Sequence, residues 1–264
     1  MPTLLTIFGL RFFFYSDEHA PIHVHVENSD GRAKFVLMET INLSLQPSVL
    51  GQYMAELRDR KYQKDRTLFR NNIRRIGQVM ALEVSRQLRY REEQVETPLG
   101  VATVQVPDDQ VVLATVMRAG LPMHEGFLDM TDHVESAYVT AYREYTDVAH
   151  TEVRINCKYM ASPALKGKVL VVVDPMLATG GSMYAAIKSL LRNGTPRAIH
   201  VCNILATPEG IETVRQTVEG MTNSEGEPMP VTLWTAAIDK GLDEHKYIVP
   251  GLGDAGDLCF GEKL

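Results

Sequence analysis

The sequence predicts an α/β protein whose mostly parallel sheet is flanked by helices on both faces. Three observations carry that expectation. Runs at 111–117 (VVLATVM), 168–174 (KVLVVVD), 198–205 (AIHVCNIL) and 231–238 (VTLWTAAI) are apolar almost throughout rather than alternating, as strands buried on both faces are. Helical patterns stand between them, at 121–130, at 182–193 and from near Pro208, which is the strand–helix rhythm of a parallel sheet. The 264 residues are 45% hydrophobic and 23% charged, enough for one α/β domain with a small appendage.

Residues 1–37 differ in pattern from the rest of the chain. LTIFGLRFFFYS (5–16) is rich in aromatics, IHVHVE (22–27) alternates, and GRAKFVL (31–37) comes after a turn signal at Asn28, Ser29, Asp30 and Gly31. These features predict two or three short strands joined by hairpins. From Met38 the pattern becomes helical, over 47–59 and 67–88. In the second stretch Ile73, Ile76, Val79, Met80 and Val84 share one face, and Arg74, Arg75 and Arg86 fall elsewhere as a solvated face. Residues 98–106 read as a short strand or an extended arm, and 136–145 as a strand. Gly194 closes the helix over 182–193, and 221–230 is a polar loop. The division expected is a β-rich extension over 1–37 and a main domain over 38–264.

Composition removes several function classes. The net charge is -6, whereas general nucleic-acid binding favours a basic balance. No apolar run is long enough to span a bilayer. The first residues lack a basic start, are interrupted by Arg11 and lead to no small-residue cleavage site. A soluble cytoplasmic protein is expected. Cys157, Cys202 and Cys259 are far apart and odd in number, so free thiols are expected rather than a disulfide framework. His23 and His25 alternate on one strand face with His19 nearby, but surface or core packing explains such a pair better than a metal set.

The most informative stretch is VVVDPMLATGGS (171–182). A buried strand ends in Asp174, and a short loop of Pro175, Met176, Leu177, Ala178, Thr179, Gly180, Gly181 and Ser182 opens a helix. Glycines let backbone N–H groups approach an anion, Thr179 and Ser182 add hydroxyl donors, and a helix N-terminus adds its dipole. Asp174 at a strand's carboxyl end is placed to accept from sugar hydroxyls. The competing reading is a plain turn and helix cap. No Gly-Lys-Ser/Thr comes after it, so this is not a Walker loop.

This stretch resembles the phosphoribosyl-diphosphate loop of type I phosphoribosyltransferases, in the Asp-Pro-Met-Leu form of the uracil phosphoribosyltransferases. Pro175 takes the place where many relatives have a second acid. MRAGLP (117–122) is similar to the family's Arg-Ala-Gly-Leu segment, which implies that Arg118 grips the donor's diphosphate. AYRE (141–144) resembles a second donor segment and implies the same for Arg143. Guanidinium forks suit a polyanion, although a lone arginine is more often a surface ion-pair partner. AID (237–239) and the run from Gly241 to Asp257 resemble the family's uracil-recognition segment. There Ile248 and residues Gly253, Asp254 and Ala255 would face the base, largely through main-chain groups, and Asp254 would also reach the donor. Cytosine would leave buried groups of such a pocket unpaired. GLGDAG (251–256) also fits a dinucleotide fingerprint, but eight residues remain after it, too few for that fold.

The resemblance spans 38–264 and implies the type I phosphoribosyltransferase fold. It implies transfer of phosphoribose from 5-phosphoribosyl-1-diphosphate to uracil N1, through oxocarbenium character at the ribose C1, giving UMP and diphosphate. Mg²⁺ is the cofactor implied, held by substrate and water more than by carboxylates. The partners implied are the two substrates, with no nucleic acid and no membrane, a homo-oligomer, and GTP as a candidate effector. His124 and His245 sit near motifs but read as packed or surface residues. Two other readings stand beside this one: a transferase for another base, and an RNA-binding regulator of a pyrimidine operon. The extension resembles the first half of a small bacterial domain of unknown function.

Overall fold

The computed structural model describes residues 3–8, 10–13, 23–36, 38–145 and 153–263, with side chains described there except at 3, 23, 32–36, 142–145 and 153–156. The extension forms four strands, β1 (Thr3–Ile7), β2 (Leu10–Phe13), β3 (His23–Asn28) and β4 (Gly31–Val36), in one antiparallel sheet of that order. That is one strand more than the alternation predicted. The turn signal holds: the Asn28 side chain accepts from the Asp30 and Gly31 amides at 2.9 and 3.0 Å, an Asx turn that closes the hairpin. On β1, Leu4, Leu5 and Ile7 are exposed, as is Phe8 just after it. Residues Phe14, His19 and Met1 lie outside the described residues, as does the side chain of His23. His25 stacks on Phe13.

The main domain begins with β5 (Glu39–Asn42), where the sequence suggested a helical start. Next come α1 (Leu50–Arg58), α2 (Arg66–Ser85), β6 (Tyr90–Thr97), β7 (Gly100–Pro107), β8 (Val111–Met117), α3 (Leu121–Leu128), β9 (Glu135–Tyr145) and β10 (Val153–Ala161). The second half holds β11 (Val169–Val173), β12 (Met176–Leu177), α4 (Gly181–Leu190), β13 (Ala198–Ala206), α5 (Pro208–Val218), β14 (Val231–Ile238), β15 (Gly241–Leu242), β16 (Ile248–Val249) and α6 (Ala255–Phe260). The large sheet runs β10-β9-β8-β11-β13-β14-β5. Its pairs are parallel except β10 with β9. β6 and β7 pair as a separate hairpin, so the expected arm has a partner strand.

Alternation along the buried strands splits the core in two, because successive side chains leave a strand on opposite faces. Leu113, Val169, Val171, Val173 and Ile204 point to one side, with Leu57, Ile73, Met80 and Met123 of α1, α2 and α3. Val112, Ala114, Leu170, Val172 and Val201 point to the other, with Met183, Ile187 and Val214 of α4 and α5. Each fully buried Val, Leu or Ile contributes about 1.5–3 kcal/mol, and among the described residues both clusters are built from Met38 onward. The expected face of α2 is confirmed at Ile73, Ile76, Met80 and Val84, all buried. The arginines lie off that face: Arg74 pairs with Asp129 at 2.6 Å and Arg86 with Glu83 at 3.3 Å. Among the described residues no helix is long and apolar enough to cross a membrane.

Candidate active site

Parallel strands bring their carboxyl ends to one edge, and ligands of open α/β sheets bind there. β8, β9 and β11 are neighbours. Arg118 stands just past the end of β8, and Asp174 just past the end of β11. Arg143 lies on β9 beyond the last residue paired with β8, opposite Ile155 of β10; its side chain lies outside the described residues.

The loop after β11 has the form the sequence suggested. Pro175 is buried, Met176 and Leu177 form β12, and Ala178 and Thr179 are half-buried. Gly180 is the N-cap of α4 with φ +81°, and no side chain caps this end. The first turn carries no acid, and Gly181 and Ser182 are half-buried. Backbone donors without a side-chain cap and an uncompensated dipole at a ten-residue helix are features that favour an anion. Packing gives the glycine a second reason besides the one expected. A Cβ on Gly180 would stand 2.6 Å from the Thr213 Cβ and 3.0 Å from the Gly210 carbonyl oxygen. Its missing side chain therefore makes room for α5, and its positive φ turns the chain into α4. Thr213 Oγ1 donates to the Thr179 carbonyl at 2.8 Å, which fixes the loop from the same helix.

Asp174 is 8% exposed. Its carboxylate accepts from the Met176 amide at 3.3 Å, and Asn203 Nδ2 holds its main-chain oxygen at 2.6 Å. Burial pushes its carboxyl up to about 7, with the Met176 amide opposing. A ligand's hydroxyls would supply the hydrogen bonds this carboxylate lacks.

The C-terminal segment closes over Arg118. The guanidinium donates to Asp257 Oδ1 at 2.8 Å and to the Gly261 carbonyl at 3.4 Å. Asp254 caps α6, accepting from the Asp257 amide at 2.9 Å and from Lys263 Nζ at 2.9 Å. Burial works to raise the Asp254 pKa, but Lys263 and that amide outweigh it and hold the carboxyl below its usual range. Ile248 and Ala255 are buried, and Gly253 is exposed with φ +94°. Gly253, Asp254 and Asp257 line a cleft of 570 Å³ together with Arg60, Lys64, Arg66 and Glu262. Asp257 ends the run that resembles the uracil-recognition segment, where the resemblance gives it no role, while Lys263 and the basic residues at 60, 64 and 66 carry no motif and only their position in the fold draws them in.

His124, His200 and His245 stay out of the polar contacts just described. His124 is buried on α3 against the Tyr138 ring, and burial lowers its pKa. His245 is exposed beside Glu244. His200 accepts from the Trp234 indole at 3.2 Å, and burial, with Arg197 adding to it, pushes it down to about 4. Cys157, Cys202 and Cys259 are free thiols as expected, and burial pushes Cys259 up to about 12.

This geometry can be set beside known proteins. The model of the family described as uracil phosphoribosyltransferase matches residues 44–262. The chain belongs to the uracil phosphoribosyltransferase family. A uracil phosphoribosyltransferase from Porphyromonas gingivalis strain W83 is 48% identical over 227 residues, covering 86% of this chain and 100% of that protein. One from Methanothermobacter thermautotrophicus is 36% identical, covering 75% and 85%. The solved structure of the AQ2163 protein from Aquifex aeolicus shares the fold, with TM-score 0.72 at 23% identity over 85% of this chain and 99% of that one. The chain is thus a phosphoribosyltransferase with the type I fold that the strand–loop–helix motif implied. A second family model, a domain of unknown function (DUF4160), matches residues 9–58. It runs past the expected limit at 37 and overlaps the transferase match across α1.

Proposed function

We propose that this uracil phosphoribosyltransferase joins uracil to 5-phosphoribosyl-1-diphosphate at the carboxyl edge of the sheet, releasing diphosphate and UMP. The observation that carries the reading is the uncapped N-terminus of α4 beside Asp174. The backbone of residues 178–182, with the Thr179 and Ser182 hydroxyls, would hold the 5′-phosphate, and Asp174 the ribose hydroxyls. Arg118 would exchange Asp257 for the donor's diphosphate, with both of its terminal nitrogens then free to fork onto the anion, and Arg143 would approach from β9. Main-chain groups of Ile248, Gly253 and Ala255 would face uracil. Asp254 would face both base and donor. Among the described residues no cluster of three or more acidic, histidine or cysteine side chains could hold an ion by itself, so Mg²⁺ would be held by the donor's oxygens and water more than by carboxylates. Bound there, it would neutralise charge on the leaving diphosphate. The chain's own residues would position the two substrates in line and stabilise the charge that develops.

The catalytic unit in this reading is 38–264, working in the cytoplasm as a homo-oligomer, with GTP as a candidate effector. Among the described residues β1 to β4 pair only with one another, while β5 joins the large sheet beside β14. A protein beginning at Met38 is therefore expected to fold and to form UMP at the rate of the full chain. Thermal midpoints, light scattering and UMP formation for the two forms test this. An insoluble or inactive Met38 form beside an active full chain would make the extension part of the catalytic unit.

A further inference from the structure

Two backbone groups of one residue are tied to a single ion pair from the far end of the chain. Arg58, the last residue of α1, reaches Asp239 just after β14. The pair is a double fork, with Nη1 to Oδ2 at 2.8 Å and Nη2 to Oδ1 at 2.7 Å. Asp239 Oδ2 also accepts from the Gly251 amide at 2.9 Å, and Arg58 Nη1 also donates to the Gly251 carbonyl at 3.1 Å. Gly251 has φ +59°, and a Cβ there would strike the Ile248 carbonyl oxygen, so the chain doubles back tightly. Gln63 Nε2 then holds the next carbonyl, that of Leu252, at 2.7 Å and the Leu57 carbonyl at 2.8 Å. Residues 251 and 252 are thereby pinned to the end of α1. On either side of them lie Ile248 and Gly253.

The pair is largely withdrawn from water, with side chains 26% and 7% exposed. Burial works to raise the Asp239 pKa, and the Arg58 fork and the Gly251 amide together outweigh it. Such a pair returns little net stability, because desolvation offsets the Coulombic gain. What it does deliver is direction: a planar fork fixes both the position and the angle of its partner.

We propose that Arg58 and Asp239 are positioning residues for base recognition, setting the turn whose flanking main-chain groups read uracil. The proposal rests on the reading that Ile248 and Gly253 face the base. It also gives α1 a role in specificity although no residue of α1 touches the base in that reading.

The test is steady-state kinetics on the full chain with Arg58→Lys, Arg58→Met and the double variant Arg58→Met with Asp239→Asn. The double variant removes both charges, so no buried carboxylate is left alone to unfold the protein. Arg58→Met and the double variant are expected to raise the KM for uracil about tenfold or more, as small misplacements of binding groups do. The KM for the phosphoribosyl donor should stay unchanged, and Arg58→Lys should recover part of the loss. Thermal midpoints identify the variants that are folded. An unchanged uracil KM in the folded double variant, or equal rises for both substrates, overturns the proposal. Gly253→Ala separates the two levels. If it raises the uracil KM while the Arg58 variants do not, the clamp fails and the base site stands. If Gly253→Ala also leaves the uracil KM unchanged, the base-site reading fails and the clamp with it.

Discussion

Gly180→Val should reduce kcat/KM for the phosphoribosyl donor by on the order of 100-fold or more and should lower the thermal midpoint as well. Both effects come from one contact. The residue sits at φ +81° with the Thr213 Cβ 2.6 Å from where its own Cβ would be. A β-branched residue in the left-handed region costs about 1–3 kcal/mol. The clash then pushes α4 away from α5, and the backbone donors of 179–182 move with it. Those donors are useful only where they converge on one anion. The combined loss separates this account from a simple steric block at the phosphate, which would spare the fold. A variant with wild-type stability and no activity would indicate that the side chain points at the donor. Near-normal activity would remove the loop from the site.

Asp174→Asn should weaken donor binding roughly 10- to 100-fold at about pH 8, the value of a charge-assisted hydrogen bond lost from a buried acceptor, without lowering stability there. The folded pKa of Asp174, about 7, lies above the ordinary 3.8. Its contribution to stability is therefore intact below the unfolded value and is lost as the pH rises through about 7. Asparagine does not carry that loss. Ribose hydroxyls donating to the carboxylate favour its ionised form, so donor binding releases a proton on the acid side of 7. One pH unit below that value, ionisation costs about 1.4 kcal/mol, or about tenfold in donor Kd. Calorimetry at about pH 6 and about pH 8 should show this slope in the wild type and its absence in Asp174→Asn. The donor's own phosphate titration is common to both proteins and cancels. Equal slopes in the two would mean that Asp174 does not meet the donor.

The parts legible in the sequence are those encoded locally. The strand ending at Asp174, the glycine pair and the helix after Ser182 lie within a few residues of one another, and each signal is a matter of neighbouring side chains. The large sheet was legible for the same reason, since Val169–Val173 and Ala198–Ala206 are buried end to end. β5 was missed because four residues give too short a period to outweigh the helical pattern after it. β6 was missed because YREEQVET is exposed almost throughout and shows no apolar face. Arg58 and Asp239 are 181 positions apart, as Arg118 and Asp257 are 139 apart. Pairs at such separations leave no mark in spacing and appear only once the sheet edge brings them together. Gly180 was legible as a glycine position, but the second reason for it lay in Thr213 of the next helix, which no local pattern shows.

The most direct measurement is product analysis with the purified full chain, Mg²⁺ and 5-phosphoribosyl-1-diphosphate, offered uracil, cytosine, orotate or hypoxanthine in turn. The account predicts UMP and diphosphate in equal amounts from uracil, and no nucleotide from the other three bases. A folded protein that makes no UMP, or that makes the nucleotide of another base faster, would contradict it.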